Sequence, residues 1–209
     1  MTYDQALLLK INSLHSDFFD RFMWDYSQKW TWIALYVLLI AIIIYRYRSN
    51  SVWIIIALLG GFALSDWGSH ELKQILMHPR PTHDPLIKDF VTVVNDYRGG
   101  EYGFPSSHAS NSFALCIFMS LLTRDKFISA TLIMWATINA YSRIYLGVHY
   151  PTDILAGLLL GMSIAIICYL LLHCTKKDES WIRQNEKLNN YLSYSVPLMW
   201  ICTMLVISF

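Results

Sequence analysis

The chain has 209 residues, 55% of them hydrophobic and only 15% charged, with a mean hydropathy of +0.38 and a net charge of +1. A soluble domain of this length carries about 25% charged residues, so the deficit points to lipid as the solvent. The near-neutral balance gives no reason to expect a nucleic-acid partner. Cys116, Cys168, Cys174 and Cys202 lie in or beside apolar segments without metal-ligand spacing and read as small core hydrophobes.

At the start of the chain, Leu7, Leu8, Ile11, Leu14, Phe18, Phe19, Phe22 and Met23 recur near helical spacing, with Asp4, Lys10, Asp17, Asp20 and Arg21 between them. This pattern predicts an amphipathic helix over residues 3–29, lying at a membrane surface or packed on the protein itself. The same mixture of charged and apolar residues does not fit a secretory signal. Residues 1–29 are therefore read as an amphipathic interfacial segment and 30–209 as a single transmembrane domain.

A bilayer crossing takes about 20 predominantly apolar residues. Six stretches qualify: 30–45, 52–76, 108–123, 127–146, 152–173 and 193–209, the first and third being short. In lipid the backbone must satisfy its own hydrogen bonds, so each stretch is expected to be helical and the fold all-α. The turns after the first, third and fifth stretches carry Arg46 and Arg48, then Arg124 and Lys126, then Lys176, Lys177, Arg183 and Lys187. The positive-inside rule puts these turns in the cytoplasm and the intervening loops outside. Trp24, Trp30, Trp32 and Trp181 suit interfacial belts.

Three polar clusters fall on that outer side. The first runs from Lys73 to Arg80-Pro81 and includes His78, with His83 beyond it. Asp66 and His70 share a helical face with Lys73 and are possible supports for it. The second cluster is Pro105-Ser106-Ser107-His108, where Ser106 suits an N-cap whose helix start can bind an anion. His108 exceeds what a cap needs and has the chemistry of a proton donor. The third is Ser142-Arg143, then His149 and Asp153, with Pro151 placed to open a helix. An i,i+4 carboxylate can fix the tautomer of His149 and leave its other nitrogen free to attack, although such a pair is also a common structural cap. Lys73, Arg80 and Arg143 supply three cations, and charge at bilayer depth usually marks function. The segment 82–104 between the first two clusters is long enough for a lid or a headgroup-contacting loop.

Lys73 to Arg80-Pro81, Pro105-Ser106-Ser107-His108, and Ser142-Arg143 to His149 to Asp153 together resemble the type 2 phosphatidic acid phosphatase family, within the acid phosphatase and vanadium haloperoxidase superfamily, over residues 52–173. One position departs from the pattern. Ser107 stands where the family usually has Gly, which matters only if that residue needs a positive φ. The resemblance implies a lipid phosphatase in which His149 attacks phosphorus, Asp153 orients it and His108 serves the leaving group. Lys73, Arg80, Ser106, Arg143 and the Ser107 N–H would hold the phosphate. It implies no metal and no cofactor, membrane lipids and a lipid phosphate as partners, and no protein partner. A compact chain of this kind suits a bacterial inner membrane with its site facing the periplasm. Undecaprenyl diphosphate is the first substrate expected, with phosphatidylglycerol phosphate, phosphatidic acid and lipid A behind it. Lys88 and Arg98 are the basic residues available for a second phosphate. A phosphotransferase using the same histidine, or a transporter lined by these charges, are the competing classes. The soluble haloperoxidase branch is disfavoured by the apolar composition.

The topology is open to direct test. In intact cells Glu101→Cys is expected to react with an impermeant thiol reagent, while Glu186→Cys is not; the reverse pattern would invert the orientation.

Overall fold

The computed structural model describes residues 1–175 and 186–208. Its order is α1 (Tyr3–Asn12), α2 (Asp17–Ser27), a short 3₁₀ turn, α3 (Ile33–Tyr47), α4 (Ser51–Leu76), a long loop, α5 (Ser107–Thr123), α6 (Lys126–Tyr145), α7 (Pro151–Thr175) and α8 (Glu186–Ile207). Among the described residues there is no β-strand, only an isolated antiparallel bridge between Pro79 and Tyr102. Each apolar stretch is helical over most of its described residues. By length and hydropathy, residues 29–76 and Pro151–Thr175 are sufficient to cross a membrane, and Leu192–Ile207 is a shorter apolar helix. The side chains of residues 176–191, including Lys176, Lys177, Trp181, Arg183 and Lys187, lie outside the described residues.

Residues 3–29 form two helices rather than one. The first ends at its C-cap Ser13, and Ser16 starts α2 afresh, its Oγ accepting a hydrogen bond from the Phe19 N–H at 3.3 Å. The pair packs on the bundle: Asn12 Nδ2 donates to Tyr145 O at 2.8 Å, and Tyr26 Oη donates to Trp135 O at 3.2 Å. Leu14, Phe18 and Phe19 remain exposed, so different residues serve each of the two expected roles. Trp32 is also corrected. It is fully buried, with its Nε1–H on Tyr26 O at 2.7 Å, while Trp30 is exposed. Of the cysteines, Cys116 and Cys168 are buried, but Cys174 and Cys202 face outward.

Closest packing occurs where α7 crosses α5. A Cβ on Gly157 would lie 2.5 Å from Ser106 O, and one on Gly161 only 2.1 Å from Ser110 O. Small residues let the two backbones touch, the usual means of helix association where lipid removes the hydrophobic drive. At one end of the bundle the turns are tied together: Arg46 Nη2 donates to Thr123 O at 3.1 Å, and Arg124 Nη2 donates to Tyr169 Oη at 3.3 Å. All three polar clusters gather at the opposite end.

Gly161→Val is expected to cost about 3 kcal/mol or more, because the new methyls meet backbone that cannot rotate away. Thermal unfolding of the purified protein in detergent reads this out, and an unchanged midpoint would show that the crossing is not constrained.

Candidate active site

Each cluster is delivered by a different local device. Lys73 lies in the last turn of α4, which ends with Met77 in the left-handed conformation and its N–H on Lys73 O at 3.0 Å. Arg80 is fixed by paired loop backbones, its N–H donating to Glu101 O at 2.9 Å while the Gly103 N–H donates to His78 O at 2.9 Å. Ser106 is the N-cap of α5, accepting from the Ala109 N–H at 3.5 Å, and Pro151 opens α7. A backbone bond joins two clusters directly, from the Ser106 N–H to Asp153 O at 2.9 Å.

At the centre, His149 and Asp153 are 1% and 0% exposed. His149 Nδ1 lies 3.1 Å from Asp153 Oδ2, which also accepts the Tyr150 N–H at 3.0 Å. A carboxylate on Nδ1 holds the proton there and leaves the Nε2 lone pair outward. Arg80 Nη1 meets Nε2 at 2.8 Å and also donates to Val148 O at 3.0 Å. Burial first, then the positive charges of Arg80, Arg143 and Lys73, hold His149 well below the usual imidazole value. Its ring is therefore neutral at pH 7, as a nucleophile requires.

The remaining groups surround this pair. Arg143, 3% exposed, donates to Tyr97 Oη at 3.4 Å and lies over the Tyr97 ring at 5.4 Å. Ser107 is the first residue of α5, without a positive φ, so Ser serves there as well as Gly. Its hydroxyl accepts from Lys73 Nζ and contacts Ser69 Oγ at 2.7 Å. Asp66 accepts a hydrogen bond from Asn111 Nδ2 at 3.0 Å and its negative charge also favours the ammonium of Lys73, while His70 is exposed. The two residues share a face with Lys73, but that face turns toward α5 at Asp66 and away from the protein at His70. His108 is half-buried and makes no hydrogen bond among the described residues. Every predicted site residue thus comes to one end of the bundle.

Some contributors gave only a weak sequence signal, His78 reading as no more than a loop residue beside Arg80. His78 Nδ1 is 3.8 Å from Asp153 Oδ1, and Tyr97 belongs to a loop readable only as polar. Gly103 is small by necessity, since a Cβ there would lie 2.8 Å from Asp153 Oδ2 and 3.2 Å from Arg80 Cγ. The segment 82–104 is pinned across the site. Thr82 Oγ1 donates to Arg98 O at 2.7 Å, and the Thr92 N–H donates to Asn12 Oδ1 at 2.8 Å. Asp84 links it to two other elements, accepting from Tyr150 Oη at 2.6 Å and from Gln5 Nε2 at 2.9 Å. Lys88 and Arg98 are exposed.

Below the site a cavity of about 370 Å³ begins at Ser107 and His108 and runs between α3, α4, α5 and α6. Its walls are largely apolar and include Leu59 and Phe62, which are exposed on the outer face of α4, so it meets the lipid-facing surface. The end nearest His108 is polar, with Lys29, Asp66 and Asn111. The arrangement can bind a phosphate between three cations, attack it from His149 and seat a hydrocarbon beside the departing atom.

A family model described as the PAP2 superfamily matches residues 53–176. A lipid A 4'-phosphatase of Bacteroides thetaiotaomicron is 38% identical over 178 residues, covering 81% of this chain and 77% of the relative. The crystal structure of a transmembrane PAP2-type phosphatidylglycerolphosphate phosphatase from Bacillus subtilis superposes with a TM-score of 0.65 at 20% identity, covering 83% of this chain and 86% of that one. Aquifex aeolicus LpxE gives a TM-score of 0.63 at 26% identity, covering 80% and 95%.

Asp84 offers a test of how the loop is held. Burial alone would raise its carboxyl, but hydrogen bonds from Tyr150, the Leu86 N–H and Gln5, with the charge of His78, outweigh it and hold the group below its usual range. Its stabilising effect is complete above the unfolded value of about 3.9 and is lost as pH falls through the lower folded value. Asp84→Ala is expected to lose about 1.5–3 kcal/mol near neutral pH. In detergent the gap in melting temperature from wild type should narrow in acid; a gap independent of pH would refute the charged link.

Proposed function

The chain belongs to the PAP2 superfamily and is a membrane lipid phosphatase, and from that premise we propose that it removes phosphate from a lipid through a phosphohistidine on His149. The observation that carries this reading is the geometry of that ring, with Asp153 on Nδ1 and an Arg80 guanidinium on Nε2. Arriving phosphate oxygens accept from Arg80, Arg143 and Lys73 and draw Arg80 off Nε2, which frees the lone pair. Nε2 then bonds phosphorus as the bond to the lipid oxygen breaks, and His108 gives that oxygen its proton. In the second half His108 takes a proton from water, the hydroxyl attacks phosphorus, and the N–P bond breaks to release inorganic phosphate. The N-terminal amides of α5, capped by Ser106, complete the phosphate cradle. These roles call for no metal.

For the substrate, the sequence favours undecaprenyl diphosphate only weakly, whereas the Bacteroides relative is a lipid A 4'-phosphatase. We therefore propose a phosphomonoester of the lipid A class. A protein with six spanning helices and its site at the periplasmic face of a bacterial inner membrane would meet that lipid at headgroup depth. The cavity beside His108 supports a lipid leaving group, since its apolar walls suit hydrocarbon next to the residue assigned here as proton donor.

Phosphate release from purified lipid A, phosphatidic acid, phosphatidylglycerol phosphate and undecaprenyl diphosphate tests this reading. Wild type is expected to be most active on lipid A, and folded His149→Ala should lose activity by about 10⁴-fold or more on every lipid. Near-normal release by His149→Ala would overturn the mechanism, and a preference for undecaprenyl diphosphate would overturn the substrate.

A further inference from the structure

Within the loop over residues 82–104, the stretch 95–99 reaches both arginines of the site. Asn95 and Asp96 stand one after the other in the left-handed region, at φ 52° and 53°. These two residue types tolerate that conformation because their short polar side chains can bond locally. The turn they make is closed by the Tyr97 N–H donating to Val94 O at 3.1 Å, and it delivers Tyr97 to Arg143. Arg143 Nη2 donates to Tyr97 Oη at 3.4 Å, and the guanidinium carbon lies 5.4 Å from the ring centre. Tyr97, 37% exposed, thus covers a guanidinium that is itself only 3% exposed. Arg80 is also within electrostatic reach of that phenol. Two residues on, Gly99 at φ 69° lies against the Arg80 side chain, where a Cβ would stand 3.2 Å from Cδ, Nε and Cζ. Trp24 of α2 packs edge-on to the Tyr97 ring, with centroids 5.5 Å apart.

We propose that Tyr97 is a further phosphate-binding residue, its hydroxyl donating to an oxygen of the phosphate held at Arg143; this rests on the lipid phosphatase reading and adds a donor to its site. A phenol can accept and donate at once. Here the oxygen accepts from Arg143, and no described residue accepts the proton. A phosphate oxygen received by the same guanidinium stands beside that proton and has lone pairs to meet it. Hydrogen bonds to a charged oxygen are about twice as strong as neutral ones. Unlike a fourth cation, a phenol supplies such a bond without adding to the mutual repulsion of Lys73, Arg80 and Arg143. Packing on Arg143 and Trp24 would be served equally well by phenylalanine, so the hydroxyl is the part that packing does not account for. The loop would then serve the phosphate directly, with Gly99 settled on one arginine and Tyr97 on the other.

The test uses purified protein in detergent with inorganic phosphate as the probe, measured both as a competitive inhibitor of lipid hydrolysis and by titration calorimetry. Tyr97→Phe keeps the ring on Arg143 and Trp24 and deletes only the hydroxyl. It is expected to melt with wild type while its Ki for phosphate rises about tenfold, the effect of one hydrogen bond to a charged group. On the lipid that wild type hydrolyses fastest, kcat/KM should fall by a similar factor. Tyr97→Leu removes ring and hydroxyl together and carries the test should Tyr97→Phe fail to fold. An unchanged Ki in either folded variant would overturn the inference. A tighter Ki would overturn it too, by showing that the phenol only fills an empty seat; both results leave the lipid phosphatase reading intact. A wild type that neither binds phosphate nor releases it from any lipid would instead strike that underlying reading, and this inference with it.

Discussion

The backbone contact between α5 and α7 is the constraint on which the site depends. Without side chains at Gly157 and Gly161 the helices approach until Cβ atoms at those positions would be 2.5 and 2.1 Å from the carbonyl oxygens of Ser106 and Ser110. That approach puts the capped start of α5 against the first turn of α7 and permits the Ser106 N–H to bond Asp153 O at 2.9 Å. The anion-binding end of one helix and the carboxylate that orients His149 on the other thus become parts of one rigid corner. In lipid, where apolar side chains gain little by meeting each other, such close packing is the available way to fix geometry.

Electrostatics gives that corner its direction. Three cations converge on a buried imidazole, and their fields together with burial keep it uncharged. Asp153 is enclosed beside it, bonded to the Tyr150 N–H and to His149, while Oδ1 faces His78 Nδ1 at 3.8 Å and makes no hydrogen bond among the described residues. An assembly with this surplus of positive charge favours a ligand carrying two negative charges in a compact tetrahedral shape. The charges gather at one end of the bundle rather than along its depth, which suits a site at the membrane edge more than a pathway through it.

The N-terminal helices serve the site indirectly. Asp4 caps the start of α7 by accepting from the Thr152 N–H at 3.2 Å, and Gln5 and Tyr150 meet on Asp84. Asn12 holds both Thr92 and the last turn of α6 through Tyr145 O. One short segment therefore braces the loop over residues 82–104 and the helix ends that carry His149 and Arg143. The loop in turn supplies Tyr97 to Arg143 and the narrow passage at Gly103.

Read alone, the sequence determined the helical class, the apolar stretches and the chemistry of the three clusters. Those features are local: hydropathy follows composition, Pro151 and Ser106 mark helix starts wherever they stand, and the spacing from His149 to Asp153 sets an i,i+4 pair. Whether Ser107 could stand in for Gly was decided by the fold, which makes it the first residue of α5 without a positive φ. Other features depend on which surfaces meet. Asp66 bonds Asn111 across 45 residues of chain, Lys73 turns to Ser107, and Trp32 is buried by α2 and α6 rather than placed at an interface. The break at Ser16 was a weak local signal overridden by a continuous apolar periodicity. The cavity below the site was wholly invisible, since a residue in an apolar run declares neither its depth nor its neighbours. Packing decides these matters: a side chain's environment is set by residues far away in sequence, and one sequence on its own does not say which they are.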